Sequence, residues 1–266
     1  MRTRTGGAMH VVAIFNLKEE TTEVVQALAR VLGITVFEAR PRILGGGPAV
    51  VASFADQELA LALAKKLNQS GFATLIVDNA VVRGSTDRFN VRRFELNEWS
   101  MHIEAIDGQQ AEIPYEEIYL LLPATSIAGS LETKTVVERK LSIGKTILSG
   151  GIPITKKLEH KEEVTTEERG KILFLYAGKR SQVVFRQNGM TYDGLGSAMK
   201  LSRELNFSHL INELRRFCPG AGFDDRLLNR IGQVRLLGPA LNPETNLDLA
   251  AEILARSLIH GRSGSI

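Results

Sequence analysis

The sequence predicts a mixed α+β chain in which helix-rich and strand-rich stretches succeed one another. Three observations predict it. The first eighty residues alternate β-branched runs with stretches whose apolar residues recur at helical spacing. From Arg88 the apolar period changes to two, and from about residue 206 it returns to that of amphipathic helices.

The elements follow in order. "VVAIFNL" (11–17) reads as a strand. Thr21 or Thr22 offers a cap to a helix carrying Val24, Leu28, Val31 and Leu32 on one face, which Gly33 stops. "ITVFEA" (34–39) reads as a second strand and "AVVASF" (49–54) as a third, with Gly45-Gly46-Gly47 as a loose connection between them. A phosphate-binding glycine loop would need to lie between a strand and a helix. Asp56 caps the next helix, with Leu59, Leu63 and Leu67 along one face and Gly71 at its end, and "ATLIVD" (73–78) is the fourth strand. The order β-α-β-β-α-β over residues 10–80 resembles the ferredoxin-like superfold, used by ligand sensors and by many protein-binding modules.

In the period-two region, Phe94 and Leu96 alternate with charged neighbours, then Met101, Ile103 and Ala105 do so. Asp107-Gly108 reads as a type I′ hairpin turn before "AEIPYEEIYLLL" (111–122). The strand pattern resumes at "KILFLYAG" (171–178) and "QVVFRQNGMTYDG" (182–194). Asn206 then reads as the cap of a helix, stapled by Leu205 and Leu210, whose stripe is Leu210, Ile211, Leu214 and Phe217. Antiparallel strands closed by one amphipathic helix, with the turn "DGQQAEIPYEEI", resemble the pleckstrin-homology-like barrel of small bacterial domains. Beyond it, Phe223 and Leu228 staple around an Asp224 cap, and Asn246 caps a last helix bearing Leu247, Ala250, Leu254 and Leu258. The expected fold class is therefore α+β, divided into three parts. These are a ferredoxin-like domain over 9–82, an antiparallel PH-like β-barrel over 87–220 with a closing helix and an inserted arm at 125–170, and a helical C-terminal segment over 221–266.

Bulk composition narrows the function classes. With 266 residues, 44% of them apolar and 24% charged, the chain can bury more than one core as a soluble protein. No apolar run reaches the ~18–20 residues a membrane span needs, and the short apolar run after the N-terminal arginines argues against a leader. The single Cys218 fits a reducing compartment, so a cytoplasmic location is expected. The net charge of +3 is uneven, with eight acidic and three basic residues in 86–124 and the reverse in 171–220. Aromatics are only 6% and are not clustered for base stacking, so nucleic acid is not an expected partner.

One stretch imitates a nucleotide site. "SIGKTILSGG" (142–151) contains the Gly144-Lys145-Thr146 ending of a phosphate-binding loop. Arg139 stands where the leading glycine belongs, however, and Gly150, Gly151 and Pro153 follow where a helix must begin. No nucleotide and no other cofactor is expected. The five histidines at 10, 102, 160, 209 and 260 are scattered without metal-ligand spacing. Asp224-Asp225 reads as helix capping and Cys218 as structural, which leaves no catalytic motif and no expectation of an enzyme.

What remains is the insert. Residues 133–157 hold Lys134, Arg139, Lys140, Lys145, Lys156 and Lys157 against Glu138, whereas 158–168 hold five glutamates against Lys161. Apolar residues between the basic pairs suit a contact that combines burial with charge attraction. Arg139, Lys140, Lys145, Lys156 and Lys157 are the expected partner-binding residues. The expected function is a non-catalytic interaction or scaffolding protein that assembles with another protein or with itself. Two alternatives stand beside it: a peripheral adaptor on anionic membranes using the basic stretch 133–157, and a small-ligand sensor acting through the ferredoxin-like domain.

Overall fold

The computed structural model describes residues 9–17, 20–84, 88–141, 155–178 and 182–263, with the backbone course alone over 83–84, 127–141, 155–168 and 262–263. The class is α+β. The apolar run His10–Phe15 forms β1, the centre of a three-stranded sheet between β2 (Ala49–Phe54) and β3 (Ala73–Asp78), both antiparallel to it. Val-Val-Ala-Ile-Phe shows no polar alternation because both faces are covered. Val11, Ala13 and Phe15 enter one core, and Val12 and Ile14 another.

Helix α1 (Thr22–Leu32) starts on the Thr21 hydroxyl and ends at Gly33, whose φ of 65° is left-handed. The expected strand at 34–39 is instead the start of a helix, α2 (Val36–Ile43). Thr35 and Glu38 decide it: the Glu38 carboxylate accepts from the Thr35 N–H at 2.8 Å, and the Thr35 hydroxyl accepts from the Glu38 N–H at 3.3 Å. This reciprocal cap outweighs the β-branched composition of the stretch. The order is thus β-α-α-β-α-β, departing from the ferredoxin-like pattern by one strand. What remains is a single split unit in which β2 and β3 flank β1 and are joined by α3 (Gln57–Gln69). The three glycines, with φ of 90°, 75° and 75°, link α2 to β2. They make a shaped turn and not a loose connection, with the Arg226 guanidinium bonded to the Gly47 carbonyl.

After α4 (Asn79–Gly84) come β4 (Phe89–Leu96), β5 (Ser100–Ala105), β6 (Gln110–Pro114), β7 (Ile118–Leu141), β8 (Thr155–Ala177), β9 (Val183–Arg186) and β10 (Gly222–Phe223). The sheet order is β10-β7-β8-β9-β4-β5-β6. It is mixed where an antiparallel arrangement was expected: β4 runs parallel to β9, and β10 parallel to β7. β4, β5 and β6 form an antiparallel meander and β8 runs antiparallel to β9, so the parallel seam arises where β9 meets β4. A single 3-10 turn, Tyr115–Glu117, joins β6 to β7, so the sheet curls about its inner face. Among the described residues no ladder pairs β6 with β10. The turn between β5 and β6 closes through the Gly108 N–H on the Ala105 carbonyl. Gly108 is left-handed at φ 85°, and Asp107 is not, so the type I′ assignment fails.

Helix α5 (Arg203–Phe217) covers the curled face, its Phe207, Leu210 and Leu214 packed among Phe94, Met101, Leu173 and Phe185. Its cap is Ser202 and not Asn206, and Leu205 is exposed instead of stapled. Asn206 is buried within the helix, where its amide both donates to and accepts from the Lys200 backbone. The Asp224 carboxylate does accept from the Arg226 backbone N–H, at 3.1 Å, but it serves a short turn and not the helix. A 3-10 turn at Arg226–Leu228 precedes α6 (Arg230–Leu237), which Asn229 caps. Helix α7 (Pro243–Ser263) begins before the expected Asn246, which sits at a kink inside it.

Three cores result. One lies between the small sheet and α1, α2 and α3. A second fills the space between the other face of that sheet, helices α6 and α7, and the outward residues of β7–β9 such as Leu122, Phe174 and Val184. The third lies between the inner face of the large sheet and α5. Contacts divide the chain into two units, residues 1–126 with 170–266, and residues 127–169. All three cores belong to the first.

Candidate functional site

Strands β7 and β8 are 24 and 23 residues long, well beyond the ~3–10 residues of ordinary strands. Only 118–126 of β7 and 170–177 of β8 belong to the unit that holds the cores. The ends of these inner portions are fixed. At the end of one, the Thr125 hydroxyl donates to the Leu228 carbonyl at 2.8 Å, and the Thr125 carbonyl accepts from the buried Gln233 amide at 2.8 Å. Gln233 also donates to the Leu227 carbonyl at 2.7 Å. At the start of the other, Lys171 and Gln187 exchange bonds: the Gln187 N–H donates to the Lys171 carbonyl, and the Lys171 N–H to the Gln187 side chain. Lys171 pairs with Glu204 of α5 at 2.9 Å, and that contact holds the Glu204 carboxyl below its ordinary pKa.

The outer strands, 127–141 and 155–169, form the second unit. Arg139 and Lys140 lie near the end of β7, and Lys156 and Lys157 at the start of β8, so adjacent strands carry the two basic pairs. Lys145 and the phosphate-loop imitation at 142–151 lie outside the described residues.

The chain matches no protein-family model, no curated protein and no solved structure.

Two surfaces of the first unit are concave. The solvent face of β4–β6 forms a shallow hollow of about 510 Å³. Register places His102 opposite both Glu95 and Glu112, and Glu104 opposite Arg93. Glu112 accepts from the Ser100 hydroxyl at 2.6 Å and stands 3.5 Å from His102 Nε2. Gly194 presses onto the Phe94 backbone at its rim. Side chains of opposite sign face one another across these strands by register, and Glu112 with His102 is the pair that comes within 4 Å among the described residues. Among the described residues no three His, Cys, Asp or Glu side chains are placed to hold a metal ion. Cys218 is buried, and burial pushes its thiol pKa up to about 11, which leaves it protonated at neutral pH. None of the described helices is long and apolar enough to cross a membrane.

The other surface lies along β3, which the sequence reading passed over. An open groove of about 740 Å³ runs between α3 and this strand, lined by Leu61, Ala64, Lys65, Asn68, Thr74 and Ile76. The signal was available: "ATLIVD" has neither a lysine nor a proline to protect an edge.

Proposed function

We propose that this chain is a non-catalytic cytoplasmic interaction protein whose second unit, residues 127–169, makes the contact with a partner protein. The observation that carries this reading is the length of β7 and β8, whose residues 127–141 and 155–169 belong to a unit separate from the one that holds the three cores described above. A long insertion costs the fold little, since loop-closure entropy grows by only ~0.6 kcal/mol per doubling of length. Its basic pairs, Arg139-Lys140 and Lys156-Lys157, flank apolar sequence and suit a partner with an acidic rim around an apolar centre.

A photoreactive residue in place of Thr155 tests this in cells. The reading requires a discrete protein adduct that disappears when Arg139, Lys140, Lys156 and Lys157 are changed to glutamate. Adducts unaffected by the charge reversal would contradict it. Sedimentation with anionic vesicles, abolished by the same changes and without a protein adduct, would select the membrane alternative instead.

A further inference from the structure

The small sheet has two edges, and the chain treats them differently. The β2 edge is covered: the Arg42 guanidinium bonds the Val51 carbonyl, and Gly238 lies so close that an added Cβ would be 3.1 Å from the Val50 carbonyl. A register shift opposite Val12 and Ala13 also interrupts the β1–β2 ladder. By contrast β3 pairs with β1 in unbroken register over all six of its residues. Among the described residues no backbone group pairs with its other side.

The phase of that ladder says which groups are free. The Asn79 N–H donates to the Met9 carbonyl, one step beyond the paired His10 and Asp78. Bonded and non-bonded pairs alternate in an antiparallel ladder. Val77, Leu75 and Ala73 therefore use their N–H and C=O groups on β1. Thr74, Ile76 and Asp78 direct theirs away from it. On this strand Asp78, at the end, is the only charge. Beside it runs the α3 groove, where Leu61 is 52% exposed.

We propose that β3 is a self-association edge, pairing antiparallel with β3 of a second copy of this chain to form one continuous six-stranded sheet. The edge is complementary to itself. A two-fold axis through Ile76 sets Ile76 opposite Ile76 and Thr74 opposite Asp78, so all three outward residues of each copy are used. Each opposed pair exchanges two backbone bonds, about six in all. No like charges are opposed, and opposed side chains fall on the same face; the Thr74 hydroxyl keeps its bond to the Asn68 side chain and the Asp78 carboxylate its bond from the Ala80 N–H. The two α3 grooves become adjacent, which shields Leu61. This association uses none of residues 127–169 and is independent of the function proposed for them.

Analytical ultracentrifugation of the full chain at micromolar concentration should give a dimer; a monomer would overturn the proposal. Ile76→Pro should give a folded monomer, because it removes an outward N–H that β1 does not use. Ile76→Lys and Ile76→Asp should each be monomeric, and their mixture should restore a dimer, because the register places position 76 opposite itself. Hydrogen exchange on the unaltered chain decides the matter even if every variant unfolds. The amides of Thr74, Ile76 and Asp78 should be protected in the dimer and lose protection on dilution. A dimer in which those three amides exchange freely would place the interface elsewhere and refute the pairing.

Discussion

Gly194 rests on the backbone of Phe94: a Cβ added to it would stand 1.7 Å from the Phe94 carbonyl oxygen. The contact joins the 3-10 turn Asp193–Ala198 to β4, and the neighbouring Thr191 N–H on the Arg92 carbonyl, at 2.9 Å, fixes its register. No flexible side chain is there to yield. Gly194→Ala should therefore destabilise the chain by at least the ~1–3 kcal/mol typical of overpacking, seen in chemical denaturation. A neutral substitution would mean that the turn does not seat on β4.

Leu214 is fully buried on α5, within the core formed by the curled sheet. Leu214→Ala should cost roughly 2–5 kcal/mol. A change within ~0.5 kcal/mol, the range of surface substitutions, would show that α5 does not close this core.

Helix α2 gives a pH-dependent test. The Thr35 backbone N–H first, and the Thr35 hydroxyl second, hold the Glu38 carboxyl below its ordinary value of 4.5. A carboxyl whose pKa is lower when folded binds fewer protons in the native state. Its stabilising effect is present above about pH 4.5 and is lost as pH falls through the lowered value. Glu38→Gln should melt below the parent chain at neutral pH, and the gap should close on acidification. A gap independent of pH would remove the charged cap from the account.

These residues also show what the sequence made legible. β1, β2 and β3 were readable because their apolar runs are bounded by turn residues. Residues 34–39 were misread because Ile-Thr-Val-Phe has strand composition, although Thr35-x-x-Glu38 was a written cap. Asn206 looked like a cap because asparagine usually is one; its use inside the helix, holding Lys200, depends on a loop folded back by tertiary contacts. The α5 stripe was legible through Leu210 and Leu214. The parallel seam of β4 with β9 was not, since about ninety residues separate the partners and no local pattern encodes it. For the candidate surfaces, the basic pairs could be read directly. The helix over 36–43 removes the strand that would have flanked β2, so the position not legible in the sequence is that of β2; β3 stands at an edge in the ferredoxin-like order as well.

The most direct test of the central claim, that residues 127–169 serve binding and not folding, compares proteins captured from cells by two chains. One is the full chain, and the other has 127–169 replaced by a short Gly-Ser linker, each first checked for an equivalent melting temperature. The account predicts that both melt alike and that a partner crosslinked at position 155 of the full chain is lost with the linker chain. Recovery of that partner in equal amount with both chains would contradict it, as would a linker chain that no longer folds.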